Sequence, residues 1–187
     1  MILITGFEPF GKFKNNITKE IILKINREFL GKNIETLILP VSWNRSLNIY
    51  MDMLKNINKK AKLILLLGIH ESKFLRFEKF AYNWMFGLDN DFNFKIGPIT
   101  RKNSFIQYTS IPINQIIQKL RQSNLKIKIR SSLFPGTYLC NFIYYWALTL
   151  SKWKQRIIFI HVPYYVDLSE LHTFILQFLM VFDSNIK

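Results

Sequence analysis

The sequence is poor in cysteine and in acidic residues. Its 187 residues include one cysteine, Cys140, and 12 aspartates and glutamates against 26 lysines and arginines. A single cysteine excludes an internal disulfide, so the composition does not indicate an oxidising compartment. The first ten residues, MILITGFEPF, lack a basic leader and a small-residue cleavage site, and they are expected to begin as a strand. These absences predict a cytoplasmic protein.

A long hydrophobic helix is also missing, although residues 131–151 contain no charged residue. That length is close to what a membrane-spanning helix needs. Pro135, Gly136 and Asn141 interrupt the stretch, and only about a dozen residues after them could be helical, a length that suits a buried core helix. The sequence therefore predicts no membrane span.

The shortage of acidic residues leaves a net charge of +14. A surface that binds nucleic acid concentrates its positive charge on one face or stripe. Here the lysines are dispersed, and their densest run is NKKAK at 58–62. The chain is rich in isoleucine, lysine, asparagine and phenylalanine and has only three alanines, a bias typical of an A/T-rich genome. We therefore expect no nucleic-acid partner, and a basic nucleic-acid-binding domain is the weakest alternative.

The segment GFEPFGK at 6–12 fits the pattern of a phosphate-binding loop, G-x-x-x-x-G-K. Such a loop needs serine or threonine next to bind magnesium, but Phe13 follows here, and Glu8 would repel a phosphate. Nucleotide binding is therefore not expected. Phe7 and Phe10, three residues apart in a loop stiffened by glycine and proline, are better suited to enclose a flat, uncharged ring.

Short apolar runs rich in β-branched residues alternate with helical patterns along the chain. The predicted strands cover 2–5, 36–41, 62–68, 125–130 and 156–162. Apolar residues at helical spacing lie between most of these strands, and Asp167 is placed to cap the last helix. This order predicts an α/β fold, a three-layer α/β/α sandwich with a mostly parallel central sheet, as a single domain over 1–187. Residues 70–110 break the rhythm and are expected to form an irregular excursion that includes a hairpin.

Cys140 and His161 lie where a site could form in such a fold. Cys140 follows the Pro135–Gly136 turn and is expected in the first turn of a helix, where the free N–H groups would favour a thiolate and could hold an oxyanion. His161 ends a buried strand at the carboxyl edge of the sheet, the edge where open α/β sheets bind ligands. A lone cysteine or histidine is more often structural, so each signal is weak alone.

A third group should orient the imidazole, and Glu78 is the best candidate. It lies between Phe77 and Phe80 in the irregular stretch, where a carboxylate is out of place unless Arg76 or Lys79 simply neutralises it. His70 competes with His161 for the role of base, because it directly follows the strand at 62–68. Both alternatives stay open on these residues alone.

Five short segments together resemble the pyroglutamyl peptidase type I family, whose members are also called pyrrolidone-carboxylate peptidases. LITGFEPFG resembles the family's amino-terminal signature, and FEKFAYN fits its glutamate pattern E-x-x-A-x-N. YTSIP, GTYLCN and FIHVP follow in the family's order, the last two as the cysteine and histidine motifs. The resemblance covers nearly the whole chain, and the family's three-layer α/β/α fold agrees with the fold predicted above.

The resemblance implies a cysteine exopeptidase that removes N-terminal pyroglutamyl residues from peptides through a thioester acyl-enzyme. Cys140 would be the nucleophile, His161 the general base and then acid, and Glu78 its orienting partner. Phe7 and Phe10 would flank the pyrrolidone ring of the substrate. The family needs no metal or cofactor and often forms homodimers or homotetramers, so the same is expected here.

Two segments depart from the family's pattern. GIHESK at 68–73 stands where members usually have Gly-Gln-Ala-Gly-Gly-Arg, so Ile69 replaces a glutamine and one polar contact to the substrate is expected to be missing. NWMFGLDNDF at 83–92 lacks the arginine that bacterial members have downstream of the glutamate. These departures leave an alternative: a catalytically impaired member retained as a folded binding protein in a reduced, A/T-rich genome.

Overall fold

The computed structural model describes residues 1–25, 28–29, 31–57, 61–151 and 155–184. Residues 58–60 of the lysine run at 58–62 lie outside the described residues. The helices in these ranges are α1 (Ile17–Lys24), α2 (Trp43–Asn56), α3 (Ile113–Arg121), α4 (Leu139–Ser151) and α5 (Leu168–Ser184). The strands are β1 (Ile2–Phe7), β2 (Glu28–Phe29), β3 (Lys32–Leu39), β4 (Leu63–His70), β5 (Leu75–Glu78), β6 (Phe80–Tyr82), β7 (Met85–Leu88), β8 (Phe94–Gly97), β9 (Ile106–Tyr108), β10 (Ile129–Ser132) and β11 (Arg156–Pro163).

The described strands form one large sheet and two small antiparallel pairs. The large sheet has the order β10-β5-β11-β4-β1-β3-β2, and β6–β9 and β7–β8 form the small pairs. Neighbours in the large sheet run parallel, except that β5 is antiparallel to β11 and β2 is antiparallel to β3. Five helices cover the sheet, so the predicted α/β/α fold with a mostly parallel central sheet is confirmed.

Apolar side chains are buried on both faces of the sheet, as the continuous hydrophobic runs of β4 and β11 require. On one face α1, α3 and α5 pack over a core that includes Phe77, Phe174 and Phe178. On the other face α2 and α4 pack over a core that includes Trp43 and Tyr144. The second face is the one that contains the candidate site.

The last helix begins where the sequence predicts. The Asp167 side chain accepts hydrogen bonds from the backbone N–H groups of Ser169, at 2.8 Å, and Glu170, at 3.2 Å. These bonds satisfy two of the amide groups that a helix leaves free at its amino end. Asp167 therefore caps α5, as expected.

The expectation of an irregular excursion over 70–110 is wrong at its start, because LRFE forms β5 of the large sheet. Leu75 and Phe77 point into the core beneath α5, while Arg76 and Glu78 alternate onto the other face. Charges at every second position usually indicate a solvent-facing strand, and here they face a buried site instead. The hairpin expected in this stretch is present as β7 and β8.

The predicted strand over 125–130 is shorter and shifted, because only Ile129–Ser132 pairs with β5. Leu125 and Ile127 still pack against the core. Alternating hydrophobicity indicates which side chains are buried. A segment can show this pattern without hydrogen bonds from its backbone to a neighbouring strand. Among the described residues, no helix combines the length and the hydrophobicity needed to cross a bilayer.

Candidate active site

Cys140 lies in the first turn of α4, directly above the sheet. The helix begins at Leu139, and the Phe142 N–H donates to the carbonyl of Tyr138 at 3.0 Å. A Cβ atom built on Gly68 would lie 2.8 Å from Cys140 Sγ and 2.8 Å from the Phe159 ring. A side chain at position 68 would therefore displace the sulfur, and glycine in β4 provides the space for the thiol.

His161 lies beside that glycine and contacts Glu78. The register of β11 with β4 places His161 opposite Gly68, so the imidazole and the sulfur are neighbours on one face. Glu78 Oε1 lies 2.9 Å from His161 Nδ1, and both side chains are buried. A carboxylate accepts from Nδ1–H, which leaves Nε2 unprotonated in the neutral ring. This is the tautomer that a general base requires.

His70 lies near His161, with 5.4 Å between the ring centroids, but in a different environment. Its Nδ1 lies 2.8 Å from the Ser72 N–H and its Nε2 lies 2.9 Å from Arg76 Nη1, so both ring nitrogens face donors. Burial, followed by the neighbouring His161 and Arg76, lowers the pKa of His70 to about 4. His70 is therefore a weak base, and the geometry favours His161 of the two histidines.

The pattern E-x-x-A-x-N has a structural reason at each position. Glu78 reaches His161, and the Tyr144 hydroxyl of α4 donates to the Glu78 carbonyl at 2.9 Å. Ala81 is fully buried in the core beneath α4. Asn83 accepts from the Thr100 N–H at 2.9 Å and thereby closes the neck of the β7–β8 hairpin.

Asn141, the residue after Cys140, attaches α4 to the strand that follows Glu78. Its Oδ1 accepts from the Tyr82 N–H at 2.8 Å, and its Nδ2 donates to the carbonyls of Tyr82 and Trp84, each at 2.8 Å. The side chain thus replaces a strand partner for β6 and is itself fully buried. These bonds fix the start of α4, and with it Cys140, relative to Glu78.

Aromatic rings from four segments form a continuous arc over this edge of the sheet. The distances between ring centroids are 5.3 Å for Trp43–Tyr138, 6.0 Å for Tyr138–Phe10, 5.5 Å for Phe10–Phe13 and 5.4 Å for Phe13–Tyr164. Tyr138 is two residues before Cys140, so the aromatic arc includes the residue that precedes the first turn of α4.

The two phenylalanines expected to flank a substrate ring differ in placement. Phe10 belongs to the aromatic arc and is partly buried. Phe7 is 3% exposed and lies in the core between the sheet and α2 and α4. Of the two, only Phe10 presents its ring at the surface.

Ile69 does not face the thiol. Gly68 meets Cys140 on the α4 side of β4, so the next side chain along the strand points to the opposite face. Ile69 is buried there, with 6% exposed. The expectation that its substitution removes a side-chain contact to the substrate is therefore wrong.

Sequence reasoning did not identify Gly68 or Tyr138 and treated Arg76 only as a possible neutraliser of Glu78. A glycine that ends an apolar strand run was the available signal for Gly68. No local signal marks Tyr138, because its contacts with Phe10 and Trp43 come from distant segments. Arg76 is recognisable only once β5 is placed in the large sheet.

The environment of Cys140 disfavours a thiolate. Burial, with a further contribution from the charge of Glu78, raises the pKa of the Cys140 thiol to about 12. The expectation of a thiolate stabilised by the helix end is therefore wrong, because desolvation outweighs the helix dipole. Cys140 is nevertheless partly exposed, so a bound molecule can contact the residue.

Comparison with known proteins identifies similar chains over nearly the whole length. The family model described as pyroglutamyl peptidase matches residues 1–173. The pyrrolidone-carboxylate peptidase of Alkaliphilus oremlandii is 27% identical over 173 residues, which cover 89% of this chain and 79% of the relative. That of Thermococcus litoralis is 31% identical over 174 residues, which cover 89% of this chain and 77% of the relative.

Solved structures show the same similarity. The pyrrolidone carboxyl peptidase of Thermus thermophilus superposes with a TM-score of 0.88 at 26% identity, covering 96% of this chain and 98% of that one. The pyrrolidone carboxyl peptidase of Fervidobacterium islandicum AW-1 superposes with a TM-score of 0.90 at 26% identity, covering 98% of both chains.

The raised pKa of Cys140 predicts slow alkylation of the folded protein. At about pH 8 iodoacetamide should modify Cys140 at least tenfold more slowly than an unfolded thiol with its ordinary pKa of about 8.5, because only the thiolate reacts. The rate should keep rising above about pH 9. Since the chain has one cysteine, the same protein in guanidinium is a matched control. A plateau of the rate below about pH 7 would show a preformed thiolate and contradict this assignment.

Proposed function

The chain belongs to the pyroglutamyl peptidase family, and from this we propose that it hydrolyses the peptide bond that follows an N-terminal pyroglutamyl residue, with Cys140 as nucleophile, His161 as general base and acid, and Glu78 as orienting carboxylate. The observation that carries the proposal is the 2.9 Å contact between Glu78 Oε1 and His161 Nδ1, next to a partly exposed cysteine in a first helical turn.

Attack begins from a neutral thiol. His161 Nε2 accepts the Cys140 proton as the sulfur bonds to the pyroglutamyl carbonyl carbon, and the carbonyl electron pair moves onto oxygen. A helix leaves its first N–H groups without an intrahelical partner, and those at the start of α4 can stabilise that oxyanion. As the carbon–nitrogen bond breaks, His161 returns the proton to the leaving amine, and a thioester on Cys140 remains.

Hydrolysis of the thioester uses the same groups, with a water molecule in place of the leaving amine. His161 takes a proton from a water molecule, whose oxygen attacks the thioester carbon. The carbon–sulfur bond breaks, pyroglutamate leaves, and the sulfur recovers its proton from the imidazolium. In both halves Glu78 Oε1 stabilises the positive charge that His161 acquires, as a carboxylate does in serine and cysteine hydrolases.

The aromatic arc supplies a reason for selecting a pyroglutamyl residue. The pyrrolidone ring is small, flat and uncharged, so it can lie against Phe10 and Tyr138 without bringing a charge out of water. An ordinary amino terminus carries an ammonium group, whose desolvation in such surroundings is unfavourable. Peptides with N-terminal pyroglutamate are therefore the proposed substrates. The homodimer or homotetramer implied by the resemblance stays a prediction.

The contacts of the described residues do not favour the impaired-member alternative, which rests on the sequence departures at 68–73 and 83–92 alone. An eroded site would leave the thiol, imidazole and carboxylate apart. Instead Glu78 and His161 are in contact, and Gly68 leaves space for Cys140 Sγ beside them.

Hydrolysis of a pyroglutamyl amide that releases a coloured amine tests the proposal. The wild-type protein should hydrolyse it and should leave the corresponding prolyl amide, which has a free amine, intact. Cys140→Ala should abolish hydrolysis, and His161→Ala should lower kcat by about two to four orders of magnitude, the usual contribution of a general base.

His172→Ala is the matched control, because His172 lies in α5 on the opposite side of the sheet. It should leave kcat and KM unchanged. An inactive wild-type protein, or an active Cys140→Ala variant, contradicts the proposed function. Loss of activity in His70→Ala combined with normal activity in His161→Ala would instead move the role of base to His70.

Phe10→Ala tests the substrate pocket separately from the chemistry. Loss of one wall of the aromatic arc should raise KM for the pyroglutamyl amide several-fold while kcat falls much less, because Phe10 contacts the ring and not the reacting atoms. The control is Phe92→Ala, an exposed phenylalanine in the β7–β8 turn, which should change neither constant. An unchanged KM in Phe10→Ala would show that the loop at 6–12 supports the fold and does not contact the substrate.

A further inference from the structure

Arg76 is a second charged residue inside the site, two positions before Glu78 on the same face of β5. Its side chain is 13% exposed. The Nε atom lies 3.3 Å from Glu78 Oε1, and Nη1 lies 2.9 Å from His70 Nε2. Nη2 donates to Ser132 Oγ and to the Phe134 carbonyl, each at 2.6 Å. One guanidinium thus contacts four other residues.

These contacts connect three segments around the proposed catalytic groups. Glu78 belongs to β5, His70 ends β4, and Ser132 ends β10. The Phe134 carbonyl belongs to the loop that leads from β10 into α4 and Cys140. The planar guanidinium, with five N–H groups, can hold all of them in fixed directions, which a lysine ammonium cannot do.

The positive charge of Arg76 compensates the buried negative charge of Glu78. Glu78 is fully buried, and its Oε2 has no hydrogen-bond partner among the described residues. A buried carboxylate without compensation is strongly destabilising. Because arginine stays protonated in proteins, Arg76 supplies a permanent positive charge next to Oε1. The same Oε1 contacts His161 Nδ1, so the arginine and the histidine share one acceptor oxygen.

The titratable groups that face His161 within the described residues are few. Glu78 contacts it from β5, Arg76 is opposite it in the strand register, and His70 lies beside it in β4. From α4, Cys140 lies over Gly68, the neighbour of His161 in β4, and the Tyr144 hydroxyl contacts the Glu78 carbonyl. At neutral pH His70 is uncharged, since its pKa is lowered to about 4, and Cys140 is uncharged, since its pKa is raised to about 12. Burial also raises the pKa of Tyr144. Arg76 is therefore the cation that balances Glu78 in this group.

We propose that Arg76 is a positioning residue: it holds Glu78 Oε1 toward His161 and disfavours an imidazolium before substrate attack, so that Nε2 of His161 is unprotonated at neutral pH when the Cys140 proton is transferred. The inference rests on the proposed function, because the benefit of an unprotonated His161 is the general-base step. Two contributions follow, one from the charge of Arg76 and one from its geometry, and they can be separated.

The pH dependence of kcat/KM for the pyroglutamyl amide separates the two contributions. In Arg76→Met the positive charge is lost, so protonation of His161 beside Glu78 becomes more favourable. The acid limb of the profile, where kcat/KM falls as the pH decreases, should therefore move to higher pH by roughly one unit or more. In Arg76→Lys the charge stays while the bridges to Ser132 and Phe134 are lost. Its acid limb should stay near that of the wild type, while kcat falls several-fold.

Arg156→Met is the matched control. Arg156 lies at the amino end of β11, far along the strand from His161, and donates to the Ser110 carbonyl at 3.3 Å. This variant should keep the wild-type acid limb. If Arg76→Met fails to fold, as judged by near-UV circular dichroism, Arg76→Gln removes the charge with a polar side chain and should show the same shift.

NMR titration of the ring protons of His161 makes the test independent of turnover. The protonation midpoint of His161 should lie at higher pH in Arg76→Met than in the wild type, and His161→Ala assigns the signal. If the wild-type protein hydrolyses nothing, the proposed function fails while the titration still reports on Arg76. If the midpoint and the acid limb are the same in Arg76→Met and the wild type, the role of Arg76 is overturned even when hydrolysis is normal.

Discussion

The antiparallel pairing of β5 with β11 is the constraint on which the candidate site depends. In an otherwise parallel part of the sheet, it aligns Arg76 with His161 and Glu78 with Phe159, so the carboxylate and the imidazole meet at 2.9 Å. Side chains alternate along a strand, and a shift of one residue would turn Glu78 into the core beneath α5. Phe77 and its packing against Phe174 and Phe178 in that core prevent such a shift. The apolar half of β5 thus fixes the position of its charged half.

The helix that contains Cys140 is held to this strand pair by its own side chains. Asn141 replaces a strand partner for β6, and the Tyr144 hydroxyl binds the Glu78 carbonyl. The sulfur, the imidazole and the carboxylate therefore belong to elements that are fixed to one another. Burial raises the pKa of the Cys140 thiol, so the thiol is protonated at neutral pH and needs a base to react as a nucleophile. In the proposed mechanism, proton transfer to His161 and attack by sulfur therefore form one coupled event, and no resting ion pair is required.

The sequence predicted most of the fold, because long apolar runs and helical stripes report burial reliably. The strands around 2–5, 62–68 and 156–162 and the cap at Asp167 were found at their places. The strand that contains Glu78 was missed, since its alternating charges resemble an exposed edge and its partner lies far along the chain. The expectations for the side-chain direction of Ile69 and for the protonation state of Cys140 were wrong for a related reason. Both depend on which face a residue occupies and how deeply it is buried, and neither property is local.

In the proposed reaction, Cys140 attacks a pyroglutamyl carbonyl with the help of His161 and Glu78 and carries the acyl group during turnover. Rapid acid quenching of the protein during turnover of a pyroglutamyl ester, followed by intact-mass and peptide mass spectrometry, tests it most directly. We expect a transient mass increase of one pyroglutamyl group, located on Cys140. The adduct should be absent in Cys140→Ala and should form much more slowly in Glu78→Gln. Turnover without any adduct in Cys140→Ala at the wild-type rate, or an adduct on another residue, would contradict it.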